Sequence, residues 1–394
     1  MIREKIAQAI SILKEKNIDM WLTFLRESST THDPALDLIF GSSCTWQTAF
    51  IITSTGKTIA IAGTLDIANI NSTGLYNEVI GYVDSIKEPL LNILKRESPE
   101  KIAINTSQND VMADGLTHGM YNILTGYLKE INFDDKLISS EEIISALRGR
   151  KSMSEIKAIE SAIIETEKIF EKVNDYIKPG LTEKQIADFI LNEVEKADLK
   201  TAWEKETCPA VFTGPESAGA HAGPTGRKIE PGHILNIDFG VKKNGYCSDL
   251  QRTWYFLKHG EDKAPEEVQK AFDIIKEAVE RSRQSIKPGI EGGKIDDVAR
   301  NYITSHGFKE FQHGLGHQIG KSTHDGAGLL CPRWERYGNL PYLKIEEGQV
   351  YTLEPRIILD GYGVVTLEDI VVVEKNGARY LSHPQKELWL INSV

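Results

Sequence analysis

The chain is expected to fold as an α/β (α+β) protein of two domains, 1–145 and 146–394, and three observations carry that reading. Residues 1–145 alternate helix-patterned and strand-patterned segments, the rhythm of a sheet layered with helices. The C-terminal part sets carboxylates inside otherwise apolar, strand-like runs. A helix-ending Ile-Lys-Pro-Gly occurs twice, from Ile177 and from Ile286, each between two helical patterns.

The elements follow in order. Residues 2–16 form a charged amphipathic helix, leading into the short apolar strand Met20-Trp21-Leu22-Thr23-Phe24. TAFIIT and KTIAIAG are strands joined by Ser54-Thr55-Gly56. A helix near Ser85–Glu97 precedes the strand Lys101–Asn105. Nothing here matches a P-loop or GxGxxG phosphate site. The domain boundary lies near Ile144–Ile156, and a long helix runs from Ser154 to about Ile177. Ile177-Lys-Pro-Gly-Leu-Thr-Glu-Lys-Gln-Ile-Ala-Asp is echoed by Ile286-Lys-Pro-Gly-Ile-Glu-Gly-Gly-Lys-Ile-Asp-Asp. Each Pro-Gly ends one helix before another opens, and Thr182 with Gln185 suits a capping box.

Composition narrows the function. A 40% hydrophobic content supports substantial cores, and a net charge of −11 opposes a general nucleic-acid binder. Cys44, Cys208, Cys247 and Cys331 are scattered without a CxxC pair, against a zinc ribbon or disulfide framework. The first residues do not read as a signal peptide, and no apolar run reaches transmembrane length. A soluble, cytoplasmic protein without a membrane partner is expected.

The chemistry concentrates in five residues: Asp238, Asp249, His317, Glu354 and Glu368. Asn244-Gly245 is a hairpin turn signal between two strand-like runs. With an even loop, Asp238 and Asp249 share one face as opposite or diagonal neighbours, about 5–8 Å apart. An odd loop or a bulge would change that register. The alternative is an exposed edge hairpin, which Asp238 opposes by interrupting Ile234, Leu235, Ile237 and Phe239. Alternation places Val350, Thr352 and Glu354 on one face, and Val364, Thr366, Glu368 and Ile370 on another. A carboxylate in such sequence is costly without a partner. That partner is either a metal or an arginine such as Arg252 or Arg356. His313-Gly-Leu-Gly-His317 is too glycine-rich for a helix interior, so it is not the helical HExxH pair. Four carboxylates could balance two divalent ions, and this oxygen-rich set favours manganese, with cobalt, iron or zinc admitted.

On these motifs the chain resembles the pita-bread metallopeptidases: methionine aminopeptidases, Xaa-Pro aminopeptidases, prolidases and creatinase. IDFG…SDLQRT, HGLGH with a second His seven residues on, LEP and LED match in order, from about Ile144 to the C-terminus. The resemblance implies a creatinase-like N-terminal α/β domain, involved in dimer formation in relatives, then a pita-bread catalytic domain with an internal pseudo-two-fold repeat. It implies that Asp238, Asp249, His317, Glu354 and Glu368 hold two metal ions. His221 and His324 would stabilise the reacting carbonyl, Glu354 would shuttle protons, and His313 would line the substrate pocket. The implied activity is hydrolysis of the N-terminal bond of a peptide substrate, of Xaa-Pro aminopeptidase or dipeptidase type, by a homodimer. Alternatives are a creatinase-like or lyase-like enzyme on a small non-peptide substrate, or a non-catalytic peptide-binding module.

Two departures bear on substrate. Proline-specific relatives carry Arg where this chain has Thr366, on the strand face of Glu368. Between His324 and Glu354 the chain is longer than in typical relatives, with the stretch Leu329–Tyr337, and Arg333, Trp334 and Arg336 either reach the pocket or lie on a solvated loop. An arginine of this loop, Arg333 foremost, is expected to replace the charge missing at Thr366.

Overall fold

The computed structural model describes residues 1–216 and 223–392, which divide into two compact units, Met1–Arg148 and Gly149–Val394. In the first, α1 (Ile2–Lys16) ends at Asn17, whose left-handed φ of 52° lets its N–H turn back to the carbonyls of Leu13 and Lys14. Strands β1 (Met20–Leu25), β2 (Thr48–Thr53), β3 (Thr58–Gly63), β4 (Glu78–Tyr82), β5 (Ile102–Ile104) and β6 (Leu137–Ser139) form one sheet in the order β4-β3-β2-β1-β5-β6. β1–β2 and β2–β3 are antiparallel, the second pair a hairpin, while β3–β4, β1–β5 and β5–β6 are parallel. The parallel steps need crossovers, made through α3 (Thr64–Thr73), α4 (Lys87–Glu97) and α5 (His118–Lys129). α2 (Leu36–Ile39) and α6 (Glu141–Gly149) complete the unit. Alternate residues feed two cores: Trp21, Phe50 and Ala60 on one face, Leu22, Ile51 and Ile59 on the other.

The second unit opens with α7 (Met153–Tyr176) and α8 (Glu183–Lys196), each begun by a capping box, Ser152 with Glu155 and Thr182 with Gln185. There follow β7 (Lys200–Thr201), β8 (Ala210–Thr213), β9 (Ile234–Phe239), β10 (Val241–Lys243), β11 (Tyr246–Cys247) and β12 (Leu250–Phe256). A second helix pair, α9 (Glu266–Ser285) and α10 (Gly292–Ser305), precedes β13 (Gly316–His317), β14 (Leu329–Leu330), β15 (Val350–Leu353), β16 (Arg356–Leu359), β17 (Gly363–Thr366), β18 (Asp369–Glu374), β19 (Gly377–Tyr380) and β20 (Trp389–Ile391).

The repeat seen in the sequence is a structural repeat. Gly180 and Gly289 both take left-handed φ, +92° and +88°, between the two helices of their pair. Their N–H groups donate to Ile229 and Ile345 carbonyls, and each isoleucine N–H returns a bond to the next residue, Leu181 or Ile290. Bridges then pair Thr182 with Lys228 and Glu291 with Lys344. One sequence interval separates Lys228 from Lys344, Ile229 from Ile345, left-handed Gly232 from left-handed Gly348, and Asp238 from Glu354. The two halves therefore present a carboxylate at equivalent points of equivalent strands. Each has its own apolar core, α7 and α8 against Ile237 and Trp254, α9 and α10 against Leu353 and Val371.

Candidate metal centre

The first hairpin turns at Asn244 and Gly245 with φ of 52° and 79°, the positive pair of a type I′ turn. That two-residue loop preserves side-chain parity. Asp238 pairs with Gln251, so Asp249, two residues before Gln251, is its diagonal neighbour on the same face. Leu235, Ile237 and Phe239 point the other way, into the core beneath α7 and α8. Gly240 lets the strands pinch together: a Cβ there would lie 1.9 Å from the Ser248 carbonyl oxygen.

In the second half, β15–β18 and β16–β17 share one register, which sets Glu354 opposite Glu368 and Arg356 opposite Thr366. The backbones of Gln251 and Glu368 exchange hydrogen bonds at 3.4 and 3.2 Å and so join the two hairpins. The Gln251 side chain does the same work: its Nε2 donates to Glu354 Oε2 at 3.2 Å and to Glu368 Oε2 at 2.9 Å. Arg252 ties the neighbouring turn, donating to the Glu368 carbonyl and to Asp369 Oδ1.

His317 arrives on β13, wedged against β15. A Cβ on Gly316 would meet the Thr352 carbonyl oxygen at 1.9 Å, and one on Gly314 would crowd Cys331. The glycines of HGLGH thus exist for close backbone approach. The His317 N–H donates to Thr352 Oγ1, and its Nδ1 faces the Gln318 carbonyl at 3.3 Å. With a proton on Nδ1, the Nε2 lone pair is free to face Glu354 Oε1 at 3.5 Å and Asp249 Oδ2 at 3.8 Å. Ligand atoms of Asp249, His317 and Glu368 lie within 4.8 Å of one another.

The electrostatics call for cations. Burial, opposed by a bond with Asp249 and by the charge of Arg356, pushes the Asp238 carboxyl up to about 7. Burial and then the charge of Asp238 push Glu354 up to about 8. Asp249 and Glu368 go well above the carboxylate range through burial and then the charges of their neighbours, Glu368 first for Asp249 and Glu354 first for Glu368. Burial and the neighbouring His324 drop His317 to about 3, which keeps it neutral and able to ligate. Asp238 Oδ1, Asp249 Oδ1 and Glu368 Oε1 are buried with no hydrogen-bond partner among the described residues. Orphaned buried oxygens are rare. Three on converging carboxylates, beside a neutral imidazole, fit divalent cations.

The remaining sequence-derived residues fall as follows. The His324 ring meets the His317 ring edge-on, centroids 4.3 Å apart, with its own side chain exposed. His313 is half-buried, held by the Gly314 carbonyl at 2.7 Å and lowered to about 4 by burial. Thr366 is buried beside the cluster, its carbonyl accepting from Asn236 and Thr253. Arg333 is engaged by Asp297, at 2.8 and 3.1 Å, while Arg336 lies beside the stacked rings of Trp334 and Tyr337. His221 lies outside the described residues. Sequence reasoning passed over Gln251, although strand parity with Asp249 marked it. It treated Arg356 only as a possible partner for a buried Glu; the guanidinium charge reaches Asp238 and Glu354 without a hydrogen bond to either.

Comparison with known proteins agrees with this geometry. The pattern of metallopeptidase family M24 matches residues 157–375. An Xaa-Pro dipeptidase of Lactobacillus helveticus is 31% identical over 336 residues, 83% of each chain. The fold is similar to an Xaa-Pro dipeptidase from Bacillus anthracis, with a TM-score of 0.74, 24% identity, and 99% and 100% of the two chains covered. It is also similar to a prolidase from Pyrococcus horikoshii OT3, with a TM-score of 0.68, 25% identity, and 98% and 99% covered. This is the pita-bread architecture expected from the motifs. Among the described residues no helix is long and apolar enough to cross a membrane. A family of metallopeptidases implies divalent metal and a peptide substrate, and the carboxylates with His317 are suited to the former. The chain belongs to metallopeptidase family M24 and is a metal-dependent hydrolase.

Proposed function

We propose that the enzyme cleaves the bond before proline in short peptides, as an Xaa-Pro dipeptidase or aminopeptidase, using two divalent ions held by Asp238, Asp249, His317, Glu354 and Glu368. The observation carrying this reading is the convergence of four carboxylates, Asp249 and Glu368 buried and Asp238 and Glu354 half-buried, whose combined charge two divalent ions would balance, three of them with an orphaned buried oxygen. The preference for proline is supported by the Lactobacillus helveticus relative. Manganese suits an oxygen-rich set with one imidazole. Four buried, unpaired cysteines accord with a reducing cytoplasm, and the resemblance supports a homodimer.

When bound, the ions supply Lewis acidity for the attacking water and the scissile carbonyl. The chain's own residues do the rest. Glu354, steadied by Gln251 on Oε2, has Oε1 available to take a proton and pass it to the leaving amine. His221 and His324 donate to the carbonyl oxygen as it gains charge. His313 and Thr366 border the substrate. The reading is tested with metal-stripped enzyme, reloaded with manganese and given Xaa-Pro and Xaa-Ala dipeptides. Hydrolysis should need the metal and favour proline; no hydrolysis with manganese, cobalt or zinc would refute it.

A pH dependence follows. Carboxyls raised in the folded state keep their stabilising contribution below the ordinary carboxylate range and lose it as pH rises through their folded values. Asp238 and Glu354, at about 7 and about 8, therefore destabilise the metal-free protein increasingly as pH rises through that interval. His317 acts oppositely, but only below the ordinary histidine value of about 6.5. Divalent ions remove the carboxylate penalty. The Tm gap between manganese-loaded and metal-free enzyme should thus widen from about pH 6.5 to 8. A gap that stays constant or narrows would show that these carboxyls do not hold the metal.

A further inference from the structure

We propose that the buried ion pair of Lys151 and Asp325 is a positioning device that holds the His324 imidazole where it meets the reacting carbonyl. The inference rests on the peptidase reading above and deepens it, by naming what aims one of its auxiliary histidines.

His324 belongs to no helix or strand. It sits in the connection between β13 and β14, residues 318–328, with its side chain exposed. Exposed loop residues are mobile by default, yet a donor to a developing charge must be held to a fraction of an ångström. The order of this loop comes from the residue that follows His324. Asp325 Oδ2 accepts from the Lys321 N–H at 2.8 Å and from Lys151 Nζ at 3.1 Å, and the same ammonium donates to the Asp325 carbonyl at 3.0 Å. The Asp325 N–H donates to the Gln318 carbonyl at 2.9 Å, and the His324 carbonyl accepts from Ser322 Oγ at 2.8 Å. Residues 318–325 thus close on themselves around one buried carboxylate, with the His324 side chain on the outside.

The pair is shaped for that place. The Lys151 side chain is wholly buried and that of Asp325 is 4% exposed. Gly320 makes the room: a Cβ there would lie 2.0 Å from Asp325 Oδ2 and 2.7 Å from Lys151 Nζ. Lys151 directly precedes the cap of α7, and its backbone N–H donates at 2.9 Å to the carbonyl of Gly348, two residues before β15. β15 runs straight into Glu354. The ammonium therefore ties the His324 loop to the strand that leads to a proposed metal ligand. Stability alone does not account for such a pair, because desolvating both charges offsets most of their attraction, and apolar residues of similar volume often serve as well. What an apolar pair cannot do is hold a carbonyl, a backbone N–H and a carboxylate in one arrangement. Lys151 and Asp325 neither ligate nor exchange protons in the mechanism above; they act through His324.

The test places Lys151→Met, Lys151→Arg, Asp325→Asn and the charge-free double variant Lys151→Met/Asp325→Asn in wild-type and His324→Ala backgrounds. With manganese-loaded enzyme and an Xaa-Pro dipeptide, Lys151→Met and Asp325→Asn should lower kcat by roughly 10–100-fold, the upper figure being the cost of misplacing a reacting group by about 1 Å. KM and metal content should change by less than about twofold, and Lys151→Arg should recover part of the loss. In the His324→Ala background the same substitutions should cost less than about threefold, since no imidazole is left to aim. A readout without turnover is the imidazole NMR signals of His324 in the metal-free protein, identified by their absence from His324→Ala. They should shift or broaden in Lys151→Met and Asp325→Asn, while those of His313 keep their positions. Equal losses with and without His324, or an unchanged kcat in Lys151→Met and Asp325→Asn, overturn the proposal. So does an unperturbed His324 signal in both. Where a single variant does not fold, the double variant, which leaves no lone buried charge, is judged by the same criteria. Wild type that hydrolyses no dipeptide refutes the peptidase reading itself, and the NMR signals then decide whether the pair holds His324.

Discussion

Asp249→Ala should abolish peptide hydrolysis while the protein stays folded. Asp249 is the diagonal neighbour of Asp238, faces Nε2 of His317 at 3.8 Å, and groups with His317 and Glu368. Its Oδ1 is buried with no hydrogen-bond partner among the described residues, so that oxygen is available to a metal ion. Without it, the set loses one charge and a shared contact point between the halves. A water that is no longer acidified is a poor nucleophile near neutral pH, so a fall in kcat of at least about 10³-fold is expected. Stability should move the other way. Removing one of four mutually repelling, clustered carboxyls relieves the metal-free protein, whose Tm should be no lower than that of metal-free wild type. Metal content, activity and thermal melts on one preparation decide this. A variant retaining full metal content and more than about a tenth of the activity would remove Asp249 from the ligand set.

His324→Ala should lower kcat by roughly 10²–10³-fold, the usual cost of one donor to a developing oxyanion, with metal content unchanged. The His324 ring sits edge-on to His317 but its side chain is exposed, at the solvent side of the cluster. A group so placed can meet a substrate carbonyl without being a ligand. Loss of transition-state stabilisation predicts that kcat falls more than KM rises. If metal is lost in step with activity, His324 is a ligand and the assignment fails.

What the sequence by itself determined is local and periodic. Asn244-Gly245 requires positive φ at both residues, and the resulting turn sets the parity that brings Asp238 and Asp249 to one face. Alternation did the same for Glu354 and Glu368, and Pro-Gly at each Ile-Lys-Pro-Gly ended its helix. The glycines of HGLGH signal close backbone approach, and the Thr352 carbonyl is what Gly316 approaches. Tertiary structure decided which side chains from distant strands meet. Gln251 spans Glu354 and Glu368 because two hairpins exchange backbone hydrogen bonds at that residue, a pairing no local pattern specifies. From the sequence, an arginine of the 329–337 loop is expected to replace the charge missing at Thr366. There Arg333 is engaged by Asp297 on α10, while the cation facing the carboxylates is Arg356, opposite Thr366. Periodicity tells which face a residue occupies, through torsions of a few neighbouring residues. Which charge finds which partner depends on the folded distance between segments far apart in the chain, and only the packed structure sets that distance.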